Sequence, residues 1–267
     1  MTFKEQYGPW AVIAGASQGI GRALALQVAA KGISCLLLSR RSEPLEELAT
    51  EIREKHGVEV AVAAVDLSAT DAPEALVAAV GDREVGLYVS NAGADPNGLR
   101  FLDQEPEKWT QLVNLNVLTP MRLAHHFGRL MKAKSRGGIL LIGSGACYMG
   151  SSFTSVYSGA KAFELCFADG LWGELKPHGV DVLFCALGAT DTPAFRDLLN
   201  RKGSPLLSNL ADPADVATKA LAKLPHGPVY NWGAEDEETG HAPMSAAARR
   251  ARVLHIEEAT KRIFGNG

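Results

Sequence analysis

The chain has 267 residues, 46% of them hydrophobic and 21% charged, which is ordinary for a globular protein and enough to bury a sizeable core. Its 27 Lys and Arg against 30 Asp and Glu give a net charge of −3, which excludes the broad basic face that duplex nucleic acid demands. No run approaches the ~20 apolar residues that span a bilayer, the opening Met1 to Gly8 lacks the apolar core of a signal peptide, and Cys35, Cys147, Cys166 and Cys185 match neither a CxxC metal pair nor a disulfide scaffold, so a soluble, cytoplasmic protein with reduced thiols is expected.

From Trp10 onward, short apolar runs alternate with helical patterns. The strand Trp10–Ala14 leads into a helix over Ile20–Lys31, closed by Gly32 at the position that favours a left-handed glycine. Strand Ser34–Ser39 precedes helix Glu43–Lys55, with Ser42 as N-cap and Pro44 in the first turn. Strand Glu59–Val65, helix Ala72–Val80 and strand Gly86–Ser90 follow, then a long helix over Glu107–Lys134. Strand Gly138–Gly143, a second long helix over Ser155–Lys176 and strand Val180–Ala186 come next. Helix Pro213–Lys223, capped by Asp212, and strand Pro228–Asn231 complete the alternation.

Most of the apolar runs are continuous, the mark of strands covered on both faces in a parallel sheet. The repeat predicts a single doubly wound Rossmann-type α/β domain over 1–267, with about seven parallel strands flanked by helices. Gly188–Leu210, interrupted by Pro193 and Pro205, follows the sixth strand on the ligand side of such sheets, and a substrate lid is expected at about 189–210. Trp232–Pro243 reads as an acidic surface loop. Ser245–Phe264 reads as a solvated helix whose arginines and lysines are diluted by Glu257 and Glu258.

Gly15-Ala16-Ser17-Gln18-Gly19-Ile20-Gly21 lies between the first strand and the first helix. Glycines permit a tight turn and let backbone N–H groups approach a pyrophosphate, and the helix N-terminus adds partial positive charge. An acidic residue at the end of the second strand would bind the 2′-hydroxyl of NAD; this chain has Ser39-Arg40-Arg41 instead. A guanidinium grips a 2′-phosphate with paired hydrogen bonds, so NADP(H) is expected, carried by Arg40 with Ser39 or Arg41. Asp66, with Leu67 beside it, ends the third strand and either accepts from the adenine amino group or caps a turn. Asn91-Ala92-Gly93 ends the fourth, its small residues leaving room for a ribose and Asn91 able to fasten backbone.

Tyr157 and Lys161 stand at i and i+4, on one helical face. A phenol ordinarily ionises near ~10, and a neighbouring ammonium lowers that value, so Lys161, together with a positively charged nicotinamide, is expected to make Tyr157 a usable acid and base. The same pair on its own would also pass for a surface contact. Ser144 ends the fifth strand, thirteen residues earlier, and opens onto the same crevice, where it can steady the reacting oxygen. Asn116, a poor residue for a helix interior, suggests a water held beside Lys161; Asn114 competes for that role.

Taken together these residues resemble the short-chain dehydrogenases/reductases of the classical type, over nearly the whole chain. The resemblance rests on Gly15, Gly19-Ile20-Gly21, Asp66, Asn91-Ala92-Gly93, Asn116, Ser144, Tyr157 and Lys161, in family order and spacing. It implies that Tyr157 is the general acid/base and that Lys161 tunes it and binds the nicotinamide ribose. Ser144 would then hold the substrate oxygen, and Asn116, seven residues after Trp109, would support a proton relay. Gly188, Thr190 and Thr192 are expected at the nicotinamide end. Leu187 replaces the family's usual proline, which is expected to loosen the start of the lid. Related proteins are commonly dimers or tetramers built on the two long helices, so a homodimer or homotetramer is expected.

Walls at Ala94–Asn97, Cys147–Phe153 and the lid supply Tyr148, Met149, Phe153, Phe195, Leu198, Leu199, Leu206 and Leu207, each of which is otherwise core. Arg196 is the one basic candidate for an anionic substrate in that set. The expected reaction interconverts a ketone and a secondary alcohol on an apolar substrate, steroid-like, fatty acyl or aromatic. Tyr7-Gly8-Pro9-Trp10 and Ser39-Arg40-Arg41 are also similar to hydroxysteroid and long-chain ketoacyl reductases of the family. Enoyl reduction and a non-catalytic NADP(H)-binding redox sensor are the rivals. His125 and His126 are adjacent with no third ligand in register, so no metal is expected.

Overall fold

In the computed structural model, residues 1–96, 98–233, 255, 258 and 260–263 are described. Among them, seven strands form one all-parallel sheet: β1 Trp10–Ala14, β2 Ser34–Ser39, β3 Val60–Ala64, β4 Val85–Ser90, β5 Gly137–Ile142, β6 Val180–Ala186 and β7 Val229–Asn231. Their order, β3-β2-β1-β4-β5-β6-β7, reverses between β1 and β4. That reversal opens a crevice at the carboxyl ends of those two strands.

Nine α-helices are described: α1 Phe3–Tyr7, α2 Gly19–Ala30, α3 Glu43–His56, α4 Ala72–Val80, α5 Pro106–Val113, α6 Thr119–Lys134, α7 Ser155–Leu175, α8 Pro193–Arg201 and α9 Pro213–Lys223. The period of two along each strand sends side chains alternately to two layers. Ala11, Ile13, Leu37 and Leu183 pack under Leu24 and Val28 of α2, Leu45 of α3 and Leu221 of α9. Val12, Leu36, Leu141 and Phe184 pack under Leu76 of α4, Leu123 and Phe127 of α6 and Ala168 of α7. Each fully buried Leu, Ile or Phe contributes roughly 1.5–3 kcal/mol, so the two layers hold the sheet between them. β4, β5 and β6 are buried along their whole length, as continuous apolar runs require, whereas β3 at the sheet edge is partly exposed.

The expected strands are all present, with ends displaced by at most one residue. Gly32 does close α2 with φ +77, and Asp212 caps α9 by accepting from Ala214 N and Asp215 N. Ser42 precedes α3 as expected, but it is itself helical and its hydroxyl makes no cap bond.

Two helical features differ from the sequence expectation. The helix expected over Glu107–Lys134 is interrupted by a π-turn, Asn114–Leu118, between α5 and α6. Pro120 has no N–H to give the Asn116 carbonyl in α register, and Asn116 Nδ2 donates to Leu112 O at 3.0 Å, so the chain widens there. The second feature is α1, which the apolar periodicity does not reveal. Thr2 and Glu5 form a reciprocal capping box at its start. Within Gly188–Leu210 the chain also forms α8, whose N-cap Thr192 accepts from Phe195 N. Of the expected loop Trp232–Pro243 and helix Ser245–Phe264, all but residues 232–233, 255, 258 and 260–263 lie outside the described residues.

α1 closes the end of the sheet remote from the crevice. Tyr7, 2% exposed, donates its hydroxyl to Asp181 Oδ2 at 2.7 Å, and Gln6 Nε2 donates to Gly179 O at 2.9 Å. Gly86 in β4 makes the approach possible, since a Cβ there would lie 2.4 Å from Gly8 O. Tyr7→Phe removes one charge-assisted buried donor from Asp181, and a loss of about 1–3 kcal/mol is expected. Thermal melts should show a lower Tm with unchanged circular dichroism; an unchanged Tm would mean that the bond adds nothing.

Candidate active site

The crevice is built first by backbone. Gly15 N and Ala16 N both bond to Leu38 O, at 2.8 and 3.0 Å, and Gly15 takes φ +78. A Cβ at Gly21 would stand 2.1 Å from Gly15 O, so α2 can reach the turn only with glycine there. Asn91 Nδ2 donates to the same Gly15 O at 2.9 Å, fastening the end of β4 to the turn as the sequence suggested. Gln18 precedes α2 without a side-chain cap bond. Ser17, Gln18, Gly19 and Ile20 are therefore partly exposed at a helix N-terminus whose first N–H groups face the crevice. A Cβ on Gly19 would touch Thr192 Cγ2 at 2.9 Å, which brings the start of α8 against the turn.

At the end of β2, Arg40 and Arg41 are exposed and Ser39 is engaged locally, its hydroxyl donating to Arg41 O at 2.9 Å. Asp66 follows β3 and accepts from Ser68 N and Ser68 Oγ, at 3.0 and 2.7 Å, so the turn-capping role is present. Burial would raise its carboxyl, but the Ser68 bonds and the Arg40 charge hold it below the ordinary range. Leu67 is buried, and its carbonyl accepts from Thr119 Oγ1 at 3.0 Å. Asn114 turns toward this segment and donates to Ser68 O at 3.1 Å, which leaves Asn116 as the asparagine beside Lys161.

Ser144 leaves β5 in extended conformation. Its hydroxyl accepts from Ala146 N at 3.2 Å, and Ser144 is near enough to the Tyr157 phenol to pull its pKa down. Tyr157 and Lys161 occupy successive turns of α7, with Nζ 5.8 Å from the phenol ring centre. Lys161 is 1% exposed and donates to Glu164 Oε2 at 2.7 Å and Ile142 O at 3.3 Å. A Cβ on Gly93 would meet Asn116 Oδ1 at 2.7 Å and Lys161 Nζ at 3.0 Å, so these three groups converge. Asn116 Oδ1 is buried and has no hydrogen-bond partner among the described residues.

Lys161 pulls the Tyr157 phenol down, as expected, but the net direction is upward. Burial is the largest influence and raises it; Lys161 and Ser144 pull it down, and Glu164 and Asp95 push it up. Lys161 is itself held above its usual range: burial opposes its charge, but Glu164 and Tyr157 favour it. The cation that was to stabilise phenolate is already paired. Glu164 is the residue that the sequence reading missed, although its place seven residues after Tyr157 on the same face was visible.

Gly188 is exposed, and Thr190 is buried with its hydroxyl donating to Gly188 O at 3.2 Å. Leu187 is 5% exposed and its carbonyl accepts from Gly145 N at 2.7 Å. Of the expected pocket residues, Leu198 and Leu199 are core, and Phe153 is buried with Arg100 over its ring. Tyr148, Met149, Phe195 and Leu207 are half-buried and Leu206 is exposed. Arg196 is paired to Asp191 at 2.5 and 2.6 Å, so its charge is already met. Asn97 lies outside the described residues.

A 7beta-hydroxysteroid dehydrogenase of Clostridium sardiniense is 34% identical over 225 residues, 84% of this chain and 85% of that protein. A solved structure concerned with 7beta-hydroxysteroid dehydrogenase stereoselectivity matches with a TM-score of 0.82 and 29% identity, covering 99% of this chain and 100% of the other. A short-chain dehydrogenase from Sphingobium yanoikuyae in complex with NADPH matches with a TM-score of 0.76 and 27% identity over 94% of each chain. The family model for short chain dehydrogenases matches residues 9–203, a span that takes in the glycine turn, Ser144, Tyr157 and Lys161 together, and this chain belongs to that family.

Proposed function

We propose that the chain is an NADP(H)-dependent oxidoreductase that interconverts a ketone and a secondary alcohol on an apolar substrate, with Tyr157 as general acid and base. The observation that carries this reading is the Lys161 ammonium buried one turn from Tyr157 at the carboxyl edge of the sheet, its Nζ 5.8 Å from the phenol ring centre, with Ser144 acting on the same phenol. The relative named for hydroxysteroid chemistry and the neighbour holding NADPH support the substrate class and the dinucleotide.

The residues present fit a dinucleotide. The turn at Gly15 and Gly21 is a cradle that any Cβ would fill, and α2 begins beside it without a side-chain cap. Ser17, Gln18, Gly19 and Ile20 would hold pyrophosphate, Arg40 a 2′-phosphate with Ser39 and Arg41 beside it, and Asp66 and Leu67 the adenine. Asn91, Ala92 and Gly93 would flank a ribose, and Gly188, Thr190 and Thr192 would line the nicotinamide end. The cofactor supplies hydride to the carbonyl carbon or takes it from the carbinol carbon.

Ser144 donates to the carbonyl oxygen as negative charge develops there, and Tyr157 transfers its proton to that oxygen. The phenolate so formed lies near Lys161. Asn116 Oδ1, a buried acceptor beside Lys161, suits a water that returns the proton from solvent. The lid at about 189–210 closes over the apolar walls, where the charge of Arg196 is already met by Asp191. We take the protein to be cytoplasmic and a homodimer or homotetramer.

Tyr157→Phe is expected to lower kcat by about 10²–10⁴-fold while the Kd for NADPH stays within a few-fold. A wild-type protein that binds NADPH yet reduces no member of a ketone panel overturns catalysis and favours a redox sensor. Arg40→Ala should weaken NADPH by about 10–100-fold, the worth of a charge-assisted contact, with NADH unchanged. Equal wild-type affinity for the two dinucleotides removes the NADP(H) assignment.

The raised phenol also sets a pH dependence. Reduction needs the protonated form, which is present below the phenol's pKa, and oxidation needs the phenolate, which is present above it. Reduction should therefore persist across neutral pH while kcat/KM for oxidation climbs toward alkaline pH. An oxidation rate that is flat from acid to alkaline pH would exclude a Tyr157 held above its ordinary range.

A further inference from the structure

One buried carboxylate has no part in the chemistry above. Glu164 is 3% exposed and lies on α7 one turn beyond Lys161 and two turns beyond Tyr157. Its Oε2 receives the Lys161 ammonium at 2.7 Å. Stability alone does not call for such a pair. Two buried charges lose several kcal/mol of hydration each, and apolar residues of similar volume often serve as well or better.

The groups around the pair are few. On α7 they are Lys161 and Tyr157. From β4, the wholly buried Tyr88 faces Glu164; burial raises its phenol, the Ser90 hydrogen bond opposes that, and the Glu164 charge adds to it. From the turn after β5, Cys147 faces Lys161, its thiol pushed up to about 12, chiefly by burial. From the segment after β4, Asp95 acts on Tyr157. Lys161 is the only cation that these interactions bring to the cluster among the described residues, and its nearest anion is Glu164 rather than the phenol.

We propose that Glu164 is a positioning residue for proton transfer: its carboxylate fixes the Lys161 ammonium between Oε2 and Ile142 O and, by sharing that charge, keeps Tyr157 protonated in the resting enzyme. This rests on Tyr157 being the general acid and base. A cation shared with a carboxylate at 2.7 Å stabilises a phenolate less than an unshared one; burial raises the Glu164 carboxyl, and Lys161 opposes that rise. The same bond keeps the ammonium charged where burial would otherwise discharge it. Tyr157 and Lys161 therefore titrate as a coupled pair whose proton affinity Glu164 raises.

The test compares wild type with Glu164→Gln, which keeps shape and an acceptor but no charge, and Glu164→Asp, which keeps the charge. Tyr157 ionisation is read without turnover, as the near-ultraviolet phenolate absorbance lost in a Tyr157→Phe background. In Glu164→Gln the phenolate fraction on the acid side of the titration should rise about tenfold. The acid limb of kcat/KM for alcohol oxidation should move to lower pH, its plateau should fall, and Glu164→Asp should return the limb toward wild type.

Titrations that coincide in wild type and Glu164→Gln, or a loss of rate equal at every pH, overturn the proposal. A shifted titration in a protein without Tyr157-dependent turnover defeats the catalytic reading and leaves the electrostatic coupling standing. Should Glu164→Gln not fold, the labelled Glu164 carboxyl resonance, assigned with Glu164→Asp, decides in the wild type. An ionised carboxyl at neutral pH supports the proposal, and a protonated one overturns it.

Discussion

An ammonium that is 1% exposed is an expensive thing to bury, and Lys161 is stable in that position because two oxygens receive it, Ile142 O and Glu164 Oε2. Both come from elements that the sheet fixes: the first from the last residue of β5, the second from the helix packed across β6. Where Nζ is held bears on what Tyr157 can do, because the same charge acts on both carboxylate and phenol. The rest of the crevice follows from this constraint. Gly93 lacks a side chain where Lys161 and Asn116 converge, and Ser144 leaves β5 two residues after Ile142 in extended form, on the side of the phenol whose pKa it lowers.

Parallel pairing supplies the shared address. In a sheet whose strands all run one way, every carboxyl end lies on one edge. The glycine turn after β1, Arg40 after β2, Asp66 after β3, Asn91 after β4, Ser144 after β5 and Gly188 after β6 therefore line the same edge despite their separation in sequence. Gly15, Gly21 and Asn91 then bring β1, α2 and β4 closer than side chains would allow. The opposite edge is closed by α1 and the Tyr7–Asp181 bond, which has no share in the chemistry.

Strands were legible because a strand covered on both faces must be apolar throughout, and β4, β5 and β6 are. The turn glycines and the Tyr157–Lys161 spacing were legible because steric and helical periodicity leave few alternatives. The π-turn was not read, since apolar periodicity averages over it; its local signals were Pro120 and the two asparagines. The net direction of the Tyr157 shift was not legible for a different reason. Pairing Tyr157 with Lys161 alone omits burial and a third charge on the same helical face, and both raise the phenol. A two-residue motif shows which groups meet, but their ionisation depends on everything else buried with them.

Leu187 illustrates the same distinction at the base of the lid. The family's proline would stiffen this corner through its fixed φ; here the corner is held by contacts. Leu187 is buried in the core layer under α2 and α9, and its carbonyl receives Gly145 N, just after Ser144. Gly143 N bonds to Cys185 O at 2.9 Å one step earlier, so the ends of β5 and β6 are tied twice beside Ser144. Beyond Gly188, a bridge between Thr190 and Ala211 joins the two ends of the lid segment, and Thr192 both caps α8 and touches Gly19. The lid thus leaves the sheet from a fixed point and returns to one. Between them Leu206 is exposed, while Arg201 Nη2 donates to Pro96 O at 2.9 Å and Lys202 Nζ to Gly98 O at 3.3 Å.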